Sequence, residues 1–138
     1  MPEPITKTKS VLNSKKEFLV DTDILVDHLV NGSDKKSPLE CAMESGICYT
    51  TVVNSSEVYF AVETDEEKLA VDLLMRAVKV LGLHSRYSLS VHNFSKKVNS
   101  VRDAIICATA KINKLPILTF NKHRYSAAGL VILEPKDI

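Results

Sequence analysis

Apolar residues come in short blocks separated by polar, helix-compatible stretches. Phe18-Leu19-Val20 runs unbroken into Asp21-Thr22-Asp23, and Ile24, Leu25, Leu29 and Val30 follow at helical spacing. Such a run predicts a strand buried on both faces, as in a parallel sheet. An Asp or Thr before a periodic segment is a helix N-cap signal, because its oxygen accepts a free first-turn N–H. A helix is therefore predicted over 24–30, stopping at Asn31-Gly32. After a polar loop, Pro38 starts a second helix that runs to Ser45 and ends at Gly46.

Ile47 to Val53 is β-branched and aromatic and reads as a second strand. Asn54-Ser55-Ser56-Glu57 opens a helix carried by Val58, Phe60, Ala61 and Val62, and Thr64-Asp65-Glu66-Glu67 opens another through Ala77. Val78 to Leu83 is a third strand, His84 to Ser100 a weak polar helix, and Val101 to Ala110 a stronger one. Pro116 to Phe120 and Leu130 to Leu133 complete five strands. Strands alternating with helices predict a three-layer α/β/α domain with a mostly parallel five-stranded sheet.

Composition narrows this modestly. The 138 residues suit one domain, expected over 17–138, after a flexible N-terminal arm over 1–16 that is too polar for a secretory signal. No apolar run approaches the roughly 20 residues of a membrane span, so no membrane partner is expected. Cys41, Cys48 and Cys107 cannot all pair, and none forms C-x-x-C; buried free thiols and a cytoplasmic setting follow. A net charge of +1 leaves nucleic-acid contact to local patches.

Three carboxylates fall at element boundaries: Asp21 ends strand one, Glu57 sits in the first turn after strand two, and Asp103 in the first turn before strand four. In open α/β sheets that edge is where ligands bind. Singly, each has an ordinary explanation, since Asn54 to Glu57 and Ser100 to Asp103 have capping-box spacing and Asp21 suits an N-cap. Brought together, the acids would repel unless a cation joined them. An all-oxygen set suits Mg²⁺ or Mn²⁺, which activates water and neutralises phosphodiester charge. The chain has no G-x-S-x-G and no phosphate-cradling G-x-x-x-x-G-K.

Phe18 to Leu25, Asn54 to Val58, Asp103 to Ala110 and Ile117 to Asn121 resemble, in order, the motifs of PIN-domain ribonucleases, most closely the VapC-type toxin branch. The resemblance implies Asp21, Glu57 and Asp103 as catalytic metal ligands for Mg²⁺ or Mn²⁺. Thr22, Asp23, Thr119 and Asn121 are then supporting positions, with Asp23 where relatives often have Asn. It further implies an RNA substrate, a homodimer and a small antitoxin partner. Where the family has a further acid after strand four, this chain has Asn121, then Arg124 and Tyr125. That leaves an alternative function: a catalytically weakened PIN module that binds RNA or a partner without cleaving.

Lys122, His123 and Arg124 adjoin the expected crevice and are candidate phosphate contacts. Lys96, Lys97, Arg102, Lys111 and Lys114 are candidates for an extended basic rim, against the plainer reading of helix-surface charges. The four histidines lack metal-ligand spacing. Tyr49, Tyr59 and Phe60 are candidates to line a dimer or partner groove, with the core as their default place. A receiver domain is the rival fold, but it needs acids and a lysine that Gly82 to His84 and Leu133 to Pro135 do not supply.

Overall fold

The computed structural model describes residues 16–31 and 35–138. Most of the arm expected over 1–16, together with Gly32 at the predicted stop of the first helix, lies outside the described residues. Lys16 belongs to the first strand rather than to an arm.

The strands are β1 (Lys16–Val20), β2 (Gly46–Thr51), β3 (Lys79–Leu81), β4 (Ile117–Leu118) and β5 (Ile132–Leu133). The helices are α1 (Thr22–Asn31), α2 (Pro38–Ser45), α3 (Val52–Phe60), α4 (Asp65–Ala77), α5 (Tyr87–Val91) and α6 (Val101–Asn113). Short 3₁₀ turns occupy His92–Phe94, Lys122–Ala128 and Pro135–Asp137. The sheet order is β3-β2-β1-β4-β5, and every pairing is parallel. That order separates the chain from the receiver-type sheet, whose order is 2-1-3-4-5.

β1 is the central strand, and its alternation builds both layers of core. Phe18 and Val20 pack with Ile24, Leu25, Leu39, Val58, Val71 and Leu74 from α1 to α4. Leu19 points the other way, into Phe94, Ala104, Ile106, Cys107 and Tyr125. In β4, Ile117 joins the second cluster and Leu118 the first. A period of two in strands buried on both faces gives the three-layer sandwich.

Gly46 shows why a small residue was needed at the start of β2. Its backbone is extended, and a Cβ there would lie 1.9 Å from the Lys16 carbonyl oxygen across the ladder. Close approach excludes a side chain, rather than any left-handed conformation.

Several boundaries differ from expectation. β2 ends at Thr51, not Val53, because Thr51 caps α3: its hydroxyl accepts from the Val53 and Asn54 amides. The stretch over 84–100 yields only the five-residue α5 and a 3₁₀ turn. Phe60 is 93% exposed, correcting its expected place in the core; Tyr49 and Tyr59 are half-buried.

Candidate active site

Strand order reverses between β1 and β4, which opens a crevice beyond their carboxyl ends. Asp21 sits at its floor, 1% exposed, and is fixed through its backbone: its N–H donates to the Leu118 carbonyl at 2.9 Å. Thr50 Oγ1 ties the preceding carbonyl, of Val20, at 2.9 Å. The carboxylate is held on both oxygens. Oδ1 accepts from the Thr22 amide at 2.8 Å, Asn54 Nδ2 at 3.1 Å and an Arg102 NH2 group at 2.8 Å. Oδ2 accepts from Tyr125 Oη at 2.8 Å and Thr119 Oγ1 at 3.2 Å. Those side-chain partners come from α3, α6 and the segment after β4. A simple N-cap is not what this residue is.

Asp103 lies in the first turn of α6, where Ser100 caps its amide at 3.1 Å. Its carboxylate does not reach back to complete a box; it accepts instead from Arg102 NH1 at 2.9 Å. Glu57 corrects the expected frame. α3 starts at Val52, so Glu57 is in the second turn, and the capping box is Thr51 with Asn54. Glu57 accepts from Thr22 Oγ1 at 2.5 Å and from Arg102 through NH2 at 2.9 Å and Nε at 3.1 Å.

The three acids therefore meet on one cation, the Arg102 guanidinium. Arg102 was expected, if functional at all, on an outer basic rim; its side chain is only 21% exposed and faces inward. Lys111 and Lys114 lie toward the far end of α6, eight and eleven residues from Asp103, or about 12 and 17 Å along the helix axis. Burial alone would lower the Arg102 pKa, but the bond to Glu57 and the charge of Asp21 outweigh it and raise it above the ordinary value. For Glu57, burial pushes the carboxyl up, yet hydrogen bonds from Arg102 and Thr22 prevail and lower it.

The supporting positions converge here too. Thr119 Oγ1 bridges Asp21 Oδ2 and Asp23 Oδ2, the latter at 3.0 Å, and Asp23 Oδ2 also accepts the Phe120 amide at 3.0 Å. Asp23 has a raised pKa, chiefly from burial and then from the Asp21 charge. The Asn121 amide donates to Thr119 Oγ1 at 3.1 Å, and its side chain lines the crevice. Arg124 Nε stands 3.8 Å from Asp103 Oδ2. The crevice holds about 750 Å³ and is lined by Glu57, Asp103, Asn121, His123 and Arg124 among others; Lys122 is exposed beside it.

Sequence reasoning missed the roles of Asn54 and Arg102. Asn54 is fully buried: its Oδ1 accepts from Thr51, while Nδ2 donates to Asp21 and Thr22. The available signal was Thr51-x-x-Asn54, a capping spacing one turn earlier than the one chosen. For Arg102 the only signal was its place beside Asp103.

Donor chemistry fits a hard divalent ion: the cluster offers only carboxylate, hydroxyl and amide oxygens. Its spacing is set by the guanidinium, and among the described residues no three acidic, His or Cys side chains close around one ion-sized point.

A three-layer α/β domain with buried acids at the switch point of an all-parallel sheet defines the class. The chain belongs to the PIN domain family, a family of nucleases, whose model matches residues 18–130. Its fold is similar to that of a DNA-bound VapBC from Salmonella typhimurium, with a TM-score of 0.73, 15% identity, and 88% of this chain and 99% of that one covered. A toxin–antitoxin complex from Klebsiella pneumoniae gives 0.71 and 20% identity over the same shares. VapBC2 from Rickettsia felis, bound to a DNA fragment from its promoter, gives 0.70 and 12% identity, covering 86% and 98%. No curated protein matches the chain. No helix among the described residues is long and apolar enough to cross a membrane.

Proposed function

We propose that this chain is a metal-dependent endoribonuclease that hydrolyses RNA phosphodiesters, acting as the toxin of a toxin–antitoxin pair. One observation carries the reading: three carboxylates from distant parts of the chain meet on a single cation at the switch point of a PIN fold. Asp21 and Asp103 would hold Mg²⁺ or Mn²⁺, with Glu57 as a ligand or as an organiser of bound water. When bound, such an ion supplies activated water and neutralises charge on the scissile phosphate.

The protein's own contribution is placement. Asn54, Thr22, Thr119 and Tyr125 fix both Asp21 oxygens, so the carboxylate keeps one orientation as substrate arrives. Lys122, His123 and Arg124 present cationic or donor groups to RNA phosphates at the crevice mouth, while the acidic floor repels phosphate not screened by cations. In this reading the nuclease unit expected over 17–138 also takes in Lys16, the first residue of β1. Toxin–antitoxin complexes among the structural neighbours support a small antitoxin as partner, and a homodimer is proposed beside it. Free Cys41, Cys48 and Cys107 support a cytoplasmic setting; burial pushes the Cys48 thiol up to about 11 and the Cys107 thiol up to about 12.

The test is cleavage of an RNA panel with Mn²⁺, comparing Asp103→Asn and Asp21→Asn with the parent. Each change should cost more than the about 10–100-fold typical of losing an outer-shell partner; equal cleavage by all three sinks the assignment. A second reading, a weakened module that binds without cleaving, is favoured by Asn121 standing where the family has an acid. Under that reading the parent is inert, and Asn121→Asp gains activity.

A further inference from the structure

Arg102 makes more polar contacts in the pocket than any purely structural cap or ion pair requires. Its NH2 group donates to Asp21, Glu57 and Thr22, its NH1 group to Asp103 and Tyr125, and its Nε to Glu57. The N···O distances run from 2.8 to 3.3 Å. A hard divalent ion of the Mg²⁺ kind needs its oxygens at about 2.0–2.1 Å, so it cannot share this site with the guanidinium. An ion bridging the same three carboxylates would draw them into the space the guanidinium fills.

We propose that Arg102 is an internal counter-cation that competes with the divalent ion for Asp21, Glu57 and Asp103, so that metal loading and Arg102 withdrawal are one exchange. The inference rests on the reading that this pocket takes a divalent ion. Charge favours the exchange without forcing it. One guanidinium against three carboxylates leaves negative charge uncompensated, and Arg124, 3.8 Å from Asp103, offsets only part of that. A doubly charged ion neutralises more. Against it stands the loss of seven charge-assisted contacts shared among the five guanidinium N–H groups. Arg102 starts α6 at the edge of the crevice, with Asn99, Ser100 and Arg124 also lining it. A released guanidinium would therefore enter the space an RNA phosphate occupies, which suits its bidentate geometry.

Linkage makes the proposal quantitative: if Arg102 opposes Mn²⁺, Mn²⁺ loosens Arg102 by the same factor. Free Mn²⁺ is followed by electron paramagnetic resonance for the parent, Arg102→Gln, Arg102→Lys and Asp103→Asn. Arg102→Gln should bind Mn²⁺ at least about tenfold more tightly than the parent, within the usual span of such coupling. Arg102→Lys should fall between, and Asp103→Asn should bind weakly. Equal or weaker binding by Arg102→Gln overturns the competition while leaving the metal reading standing. Absence of Mn²⁺ binding in every variant sinks both.

Should Arg102→Gln fail to fold, the parent alone decides. In its ¹⁵N–¹H spectrum the Arg102 Nε–H, held by Glu57, should be protected in chelator and become fast-exchanging at saturating Mg²⁺. An unchanged resonance overturns the proposal.

Discussion

Asp23 is the pocket acid whose ionised form is least well supported. Its Oδ2 has two donors, but its buried Oδ1 has no partner among the described residues. Burial, then Asp21, raises its pKa above the ordinary 3.8. An acid whose folded pKa is raised penalises folding once pH climbs past the unfolded value, and the penalty grows until pH has passed the folded one. Asp23→Asn keeps an acceptor for the Phe120 amide and removes the charge. In chelator at pH 7 it should raise the melting temperature relative to the parent. The gain should vanish as pH falls below 3.8; thermal scans across pH check it. Glu57 runs the opposite way. Its folded pKa is lowered, so its stabilising pairing with Arg102 is present above the ordinary 4.5 and is lost as pH falls through the lowered value.

Among the elements, those read most directly from sequence were the ones whose signals are local. β1, α2 with Pro38 at its start, α4 with its Thr64–Glu67 box, and α6 with Ser100 as cap lie close to where periodicity puts them. α3 was misframed because two overlapping polar tetrads compete, and the choice between them is made by Asp21, far away in sequence, which draws Asn54 inward. For the same reason the spacing of charges could not show Arg102 turning toward Asp21, 81 residues earlier. Asn54→Ala should cost about 2–3 kcal/mol, since it takes away the acceptor that the buried Thr51 amide and hydroxyl share; urea unfolding measures it. The C-terminal end of α6 offers a stabilising counterpart. Lys114 caps it at φ 55°, a left-handed conformation that disfavours a side chain. Lys114→Gly should gain about 0.5–1 kcal/mol without altering the distant crevice.

For the molecule as a whole, a net charge of +1 supplies no broad field toward nucleic acid, so under the proposed function RNA would be attracted at the crevice mouth. There the exposed Lys122, His123 and Arg124 stand above an acidic floor. Arg124 is partly engaged by Asp103, and burial, which would lower its pKa, is outweighed by its bond to Tyr125. Under the proposed function two permanent cations, Lys122 and Arg124, would carry the phosphate contacts, each releasing about 0.7 counterions from a single strand. The logarithm of RNA affinity against the logarithm of salt should then fall with a slope near about −1.4, shallow beside proteins that read nucleic acid through extended basic faces. The double change Lys122→Ala, Arg124→Ala should flatten that slope nearly to zero. Lys111→Ala with Lys114→Ala, at the far end of α6, should leave it unchanged. Binding of a labelled oligonucleotide in chelator across a salt series measures all three, and a steep slope surviving the first double change would move the RNA path away from this crevice.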